Sequence, residues 1–158
     1  ISPRARNAII SAQKIVFPSG SLYGSLLQHF LVDGVADAIV ESGQLGAKLI
    51  FVVNLMSEHG QTDDYKASDH LEPFIDYLGN PHRLNYIILN DNHLEPEVLR
   101  RYRDAGQNPI VMDEEDEKKC RLLAPNAKII RESVASYTRR RHLYRHDDKL
   151  AKIILDLK

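Results

Sequence analysis

Leu49-Ile50-Phe51-Val52-Val53 is an unbroken apolar run, preceded by Ala47-Lys48 and ended by Asn54. Side chains of a strand alternate between its two faces, so a run apolar at every position must be covered on both. That is the pattern of a central strand in a parallel sheet. Working outward, Ile- and Val-rich runs predict strands over residues 14–17, 47–54, 85–90 and 108–112. Amphipathic spacing predicts helices over 3–12, 23–41 with a break at Asp33 and Gly34, 68–78, 96–105 and 146–157. Ser2 before Pro3 and Glu95 before Pro96 place proline where its missing N–H costs nothing, while Gly79 and Gly106 fit as left-handed helix stops. Strand and helix alternate with short connections, and crossovers are right-handed. The expectation is an α/β fold, an open, mostly parallel sheet with helices on both faces and a ligand crevice at the strands' carboxyl ends. The loops after Phe17, Asn54 and Asn90 then become the places to look for function.

The 158 residues are 43% apolar and 27% charged, which fits one α/β domain over 1–158. A chain of this size buries about two thirds of its unfolded surface and needs no disulfide or metal staple. With 21 basic and 22 acidic side chains, nothing draws it generally to nucleic acid or anionic lipid. No apolar run reaches the ~18 residues of a membrane span. Cys120 has no second cysteine to pair with and no metal-spaced neighbours, pointing to a reducing, cytoplasmic setting. The chain opens on Ile1 and enters a helical stretch without a signal-like segment, so it reads as a piece of a longer protein. The acidic run 113–117 reads as a solvated turn or loop. The basic group Arg139, Arg140, Arg141, His142, Arg145 and His146 reads either as a surface loop balancing those acids or as part of an anion site.

Three segments have the residue types for chemistry. Pro18-Ser19-Gly20-Ser21-Leu22-Tyr23-Gly24-Ser25 follows a strand and opens a helix. Its amides, hydroxyls and helix N-terminus suit an anion such as phosphate, the alternative being a plain serine-capped turn. The long polar loop 54–70 follows the central strand; in it Tyr65 can stack on a base or sugar, Asp63 and Asp64 can accept hydroxyl bonds, and Ser68 is a plausible N-cap. His59 and His70 beside these acids are not assigned as metal ligands, because an unordered polar loop seldom makes them converge. Tyr144-Arg145-His146-Asp147 precedes the last helix; Asp147 or His146 lies in the first turn of that helix, or else Arg145 and His146 reach an anion in the crevice. Ser19, Ser21 and Ser25 have no histidine nearby in sequence and no G-x-S-x-G elbow, so no catalytic residue is assigned.

The segment Ile15 to Ser25 resembles the strand and G-P-G-S-L-Y-T-S loop of the CofD/YvcK family, and Leu31-Val32-Asp33-Gly34-Val35 is similar to the stretch that follows it. Val53-Asn54-Leu55-Met56, Gly60-Gln61-Thr62-Asp63 and Ala67-Ser68-Asp69-His70 resemble its C-N-L-M-T-x-x-G-E-T-D-x-x-x-A-S-D-H block with spacing intact; Tyr144 to Asp147 resembles its terminal H-D motif. Pro18 and Ser19 stand at the Gly-Pro positions, Gly24 replaces Thr, Gln28-His29 replaces Pro-Asn and Gln61 replaces Glu. The resemblance implies the carboxyl half of a Rossmann-like domain. The YvcK branch implies binding of a nucleotide diphosphate sugar such as UDP-N-acetylglucosamine, with a role in carbon flux, cell wall and cell shape. The CofD branch implies magnesium-dependent transfer of a phospholactyl group from a guanosine diphosphate-activated donor to a deazaflavin. A third reading is a non-catalytic interaction domain whose amphipathic helices form a homo-oligomer surface. Under the nucleotide-sugar reading, Ser19, Gly20, Ser21, Tyr23 and Ser25 hold phosphate, and Asn54, Thr62, Asp63 and Tyr65 line the base and sugar side. Asp69 and His70 order the loop, and Arg145 and His146 approach the anion.

Overall fold

A computed structural model describes residues 1–91, 94–138 and 143–158, with Thr138, Leu143 and Tyr144 described for their backbone only. Four parallel strands lie in the order β1 (Lys14–Phe17), β2 (Lys48–Val52), β3 (Tyr86–Asn90) and β4 (Lys128–Glu132). Phe17 stands opposite Phe51, Val52 opposite Ile88, and Asn90 opposite Glu132. The helices are α1 (Pro3–Ile10), α2 (Val35–Gln44), α3 (Ala67–Leu78), α4 (Pro96–Asp104), α5 (Glu114–Leu123) and α6 (Asp148–Asp156).

The unbroken apolar run at β2 has the meaning its sequence implies. Leu49, Phe51 and Val53 enter one buried cluster with Phe74 and Leu71 of α3, Ile39 of α2 and Cys120 of α5. Ile50 and Val52 enter another, under Leu150, Ile153 and Ile154 of α6. Burial on both faces makes this strand expensive to leave in water, at ~25 cal/mol per Å² of apolar surface. On the first face Phe17, Phe30, Phe51 and Phe74 pack ring to ring, with Phe17 stacked on Phe30 at 5.3 Å and edge-on to Phe74 at 4.9 Å.

The structure corrects several boundaries. Residues 108–112 are not a sheet strand; Pro109 makes an isolated antiparallel bridge with Met56, and Ile110 donates its N–H to the Leu55 carbonyl at 3.0 Å. The fourth strand is β4, whose Lys-Ile-Ile-Arg-Glu sequence is polar at both ends because it lies at the sheet edge. The acidic run is not a loop but the start of α5: Asp113 caps it by accepting from Asp116 N–H at 2.9 Å, and acids in a first turn favour the helix dipole. After the serine-rich loop the chain forms a π turn at Leu22–Leu26 and a 3-10 turn at Leu27–Leu31, and only then α2. Ser21 and Ser25 hydroxyls bond the local backbone there, competing with α-helical pairing. The break at Gly34 holds, with φ of 84°. A small antiparallel pair, β5 (Ala135–Thr138) with β6 (Leu143–His146), was not anticipated; His146 ends β6 and Asp147 caps α6, so the last helix starts later than expected. In contrast α3 starts one residue earlier than expected, at Ala67, which puts Ser68 inside it rather than at its N-cap. Arg139, Arg140, Arg141 and His142 lie outside the described residues. Gly79 and Gly106 are left-handed helix stops, at φ of 70° and 73°. No helix among the described residues is long and apolar enough to cross a membrane.

Candidate functional site

Parallel strands in register bring their carboxyl ends to one rim, so the loops after β1 and β2 emerge side by side. They are joined there. Asn54, one residue past the end of the β2 run, accepts the Gly20 N–H through Oδ1 at 2.9 Å and donates through Nδ2 to the Gly20 carbonyl at 2.8 Å. Further out, the Ser21 hydroxyl donates to Gln61 Oε1 at 3.3 Å, and the phenols of Tyr23 and Tyr65 share a hydrogen bond at 3.0 Å. That bond, with burial and the nearby Tyr65 and Tyr77 phenols adding to it, pushes the Tyr23 phenol up to about 12.

Within the first loop several amides turn inward. Gly20 serves Asn54, Gly24 donates to Ser21 Oγ at 3.1 Å, and Ser25 and Leu26 both donate to the Ser21 carbonyl at 3.0 Å. The amides of Ser21, Leu22 and Tyr23 make no hydrogen bond among the described residues. Ser19, Gly20 and Ser25 also form the polar end of an open hollow alongside β1, whose body is apolar and walled by Ile9, Phe17 and Ile39. A single π turn supplies far less aligned dipole than the long α-helix expected from the sequence, so the loop's attraction for an anion rests on amides and hydroxyls.

The second loop uses most of its polar side chains on itself. Thr62 is fully buried; its hydroxyl accepts Glu58 N–H at 2.8 Å. Asp63 accepts Gly60 N–H at 2.7 Å and meets His59 Nδ1 at 3.0 Å, and the His59 contact foremost holds its carboxyl below the usual range. Asp69 closes the start of α3 by accepting Lys66 N–H at 2.7 Å. His70 is buried beneath the loop, edge-on to Tyr65 at 5.4 Å, with Nδ1 on the Lys66 carbonyl at 3.1 Å and Nε2 without a partner among the described residues. Burial pushes its imidazole pKa down. His59 and His70 thus face different partners, and no group of three or more His, Cys, Asp or Glu is placed to hold a metal among the described residues.

Arg145 is exposed on β6, whereas His146 is half-buried, with Nδ1 at 3.4 Å from the Val134 carbonyl and its pKa pushed down, chiefly by burial. Three asparagines share a role that sequence reading did not isolate. Asn54 Oδ1 accepts from Gly20, Asn85 Oδ1 from Leu49, and Asn90 Oδ1 from Val134, each joining a strand end to a neighbouring segment. Their signal is an asparagine next to an apolar run, since a carboxamide can accept and donate where the sheet's own ladder stops.

The sequence profile of the family described as 2-phospho-L-lactate transferase CofD matches residues 1–130. The chain is 37% identical over 123 residues to a putative gluconeogenesis factor of Thermotoga maritima, covering 78% of this chain and 38% of that protein. It is 28% identical over 156 residues to a gluconeogenesis factor of Bacillus subtilis, covering 98% of this chain and 46% of that one. A crystal structure of a Bacillus halodurans protein superposes with a TM-score of 0.86 at 29% identity, over 98% of this chain and 47% of that chain. The chain therefore spans less than half the length of these relatives.

Proposed function

The chain belongs to the CofD family, and from that premise we propose that it is the nucleotide-sugar-binding part of a regulatory protein of carbon metabolism, of the kind its relatives' name, gluconeogenesis factor, describes. The reading includes the roles in cell wall and cell shape implied by the YvcK resemblance. The observation that supports it most is the reciprocal Asn54–Gly20 pair, which fixes two functional loops against each other at the strands' carboxyl ends. With the loops so held, the amides of Ser21, Leu22 and Tyr23, which make no hydrogen bond among the described residues, and the Ser19 hydroxyl are pre-set for a diphosphate, while the Ser25 hydroxyl donates to the Ser21 carbonyl at 2.7 Å. Tyr65 borders the sugar, and Thr62, Asp63 and Asp69 keep the second loop in shape.

The family description also names a transferase, and magnesium belongs to that chemistry. Both oxygens of Asp63 are already engaged by His59 and Gly60, and no acidic cluster converges beside it among the described residues. These residues do not fit magnesium by themselves, and no step is routed through it.

Calorimetry with UDP-N-acetylglucosamine tests the reading. Ser21→Ala and Tyr65→Ala each remove a polar contact and should weaken binding several-fold, about 1 kcal/mol per hydrogen bond. Unchanged affinity in both variants removes those residues from the site, and no binding by the unsubstituted protein removes the function.

A further inference from the structure

We propose that the open cavity at the amino ends of β2 and β3, on the opposite rim of the sheet from the joined loops, binds a phosphate group, free or carried by a small metabolite, as the counter-charge of Arg83. The nucleotide-sugar reading leaves this rim without a role. Arg83 lies in the segment between α3 and β3 and is 6% exposed. Its Nε donates to the Ile39 carbonyl at 2.7 Å, Nη1 to Asn85 Oδ1 at 2.9 Å and Nη2 to Ser42 Oγ at 3.1 Å, all neutral partners. A guanidinium has five N–H groups, so one on each terminal nitrogen is left over. It also stays charged in a protein, and a buried charge is costly without one of opposite sign. Arg83 has no ion pair among the described residues, and burial alone acts on its pKa, pushing it down. The last turn of α2 offers about half a negative charge, which offsets only part of it.

The cavity around this cation is lined by donors. It holds about 280 Å³, just under the ~300 Å³ of pockets that take drug-sized ligands, so a phosphate fits with a few further atoms. Lys48 and His82 line it with Arg83, and no Asp or Glu does so among the described residues. Asn80 and Asn85 line it too. The Oδ1 of Asn80 accepts the His82 N–H at 3.0 Å and that of Asn85 the Leu49 N–H at 2.8 Å, which leaves both NH2 groups without a partner among the described residues. A carboxylate brings two oxygens and one charge. A phosphate monoester brings three terminal oxygens and about 1.5–2 charges at neutral pH, the better match to a lining with two cations and spare donors.

Inorganic phosphate and glycerol 3-phosphate, titrated at constant ionic strength into isotope-labelled protein and followed by amide and arginine side-chain resonances, test the assignment. Saturable shifts are expected at Gly46, Lys48, Asn80 and His82 and at the Arg83 Nε–H. Tighter binding of glycerol 3-phosphate at this rim identifies a phosphorylated metabolite as the ligand; equal or weaker binding identifies free phosphate. Arg83→Lys keeps the charge but loses the fork and should weaken both ligands at least tenfold. His82→Glu puts a carboxylate on an exposed lining position and should weaken both at least threefold; it decides alone if Arg83→Lys does not fold. Shifts confined to Ser21, Leu22 and Tyr23, the same shifts with chloride, or unchanged affinity in His82→Glu or in folded Arg83→Lys each overturns the assignment. None of these results touches the nucleotide-sugar site at the other rim, which calorimetry tests separately.

Discussion

Replacing Asn54 with alanine separates the two loops of the site without touching either apolar cluster. Asn54 is 9% exposed and makes both of its Gly20 hydrogen bonds at good length, 2.9 and 2.8 Å. A neutral hydrogen bond contributes a net ~0.5–1.5 kcal/mol, so losing two gives roughly 1–3 kcal/mol. Water can reach the loop side of Gly20 and satisfy part of what is exposed, which places the expected loss at about 2 kcal/mol. For a domain near 150 residues that is a fall in Tm of roughly 4–8 °C. Urea unfolding read by far-UV circular dichroism gives the free energy, and an unchanged m-value shows that the denatured state is the same. Asn54→Asp sharpens the test: it keeps an acceptor for the Gly20 N–H but turns an anionic oxygen on the Gly20 carbonyl, so it should cost at least as much as alanine. A loss below ~0.5 kcal/mol in Asn54→Ala would refute the claim that this pair fixes the loops.

Two other changes have signs set by the structure. The Tyr23 phenol lies at about 12 in the fold against an ordinary 10.0, so its contribution is complete below pH 10 and disappears as pH rises through about 12. Tyr23→Phe should remove that alkaline component from the pH–stability curve and the late phenolate signal from an ultraviolet titration. Gly43→Ala would ordinarily stabilise α2 by about 1 kcal/mol, yet its Cβ would come within 2.6 Å of Arg83 Nε. Arg83 is buried and bonded to the Ile39 carbonyl at 2.7 Å and Ser42 Oγ at 3.1 Å, so the guanidinium must give up bonds, and thermal melting should show a net loss of about 1–2 kcal/mol.

The sheet was legible where burial is two-sided. Residues 49–53 show no polar alternation because α3 and α6 cover opposite faces. Segment 108–112 misled for a related reason: Ile110 and Met112 are buried in the main cluster, so the run is as apolar as a strand, but its backbone pairs with the loop after β2. β4 escaped notice because only Ile129 and Ile130 separate its polar ends. The acids of α5 look like a charge block in sequence, whereas Asp116, 1% exposed, accepts from the Ser68 amide and hydroxyl and docks α5 on α3. Topology alone was enough to expect the loops after β1 and β2 at one rim. Their mutual bonds join residues 34 to 42 positions apart, and no local pattern encodes such pairs.

Those long-range bonds change what the polar residues of the loops contribute. A sequence full of serines, aspartates and histidines invites each side chain to be given a ligand atom, but here Thr62, Asp63 and Asp69 already satisfy backbone amides of their own segment. Under the proposed function their contribution to binding is entropic: a loop already closed on itself gives up little conformational freedom when a ligand arrives. Under the proposed function the direct contacts fall to the amides of Ser21, Leu22 and Tyr23, which make no hydrogen bond among the described residues. Substitutions at Thr62, Asp63 and Asp69 should therefore lower the melting temperature of the free protein together with its affinity.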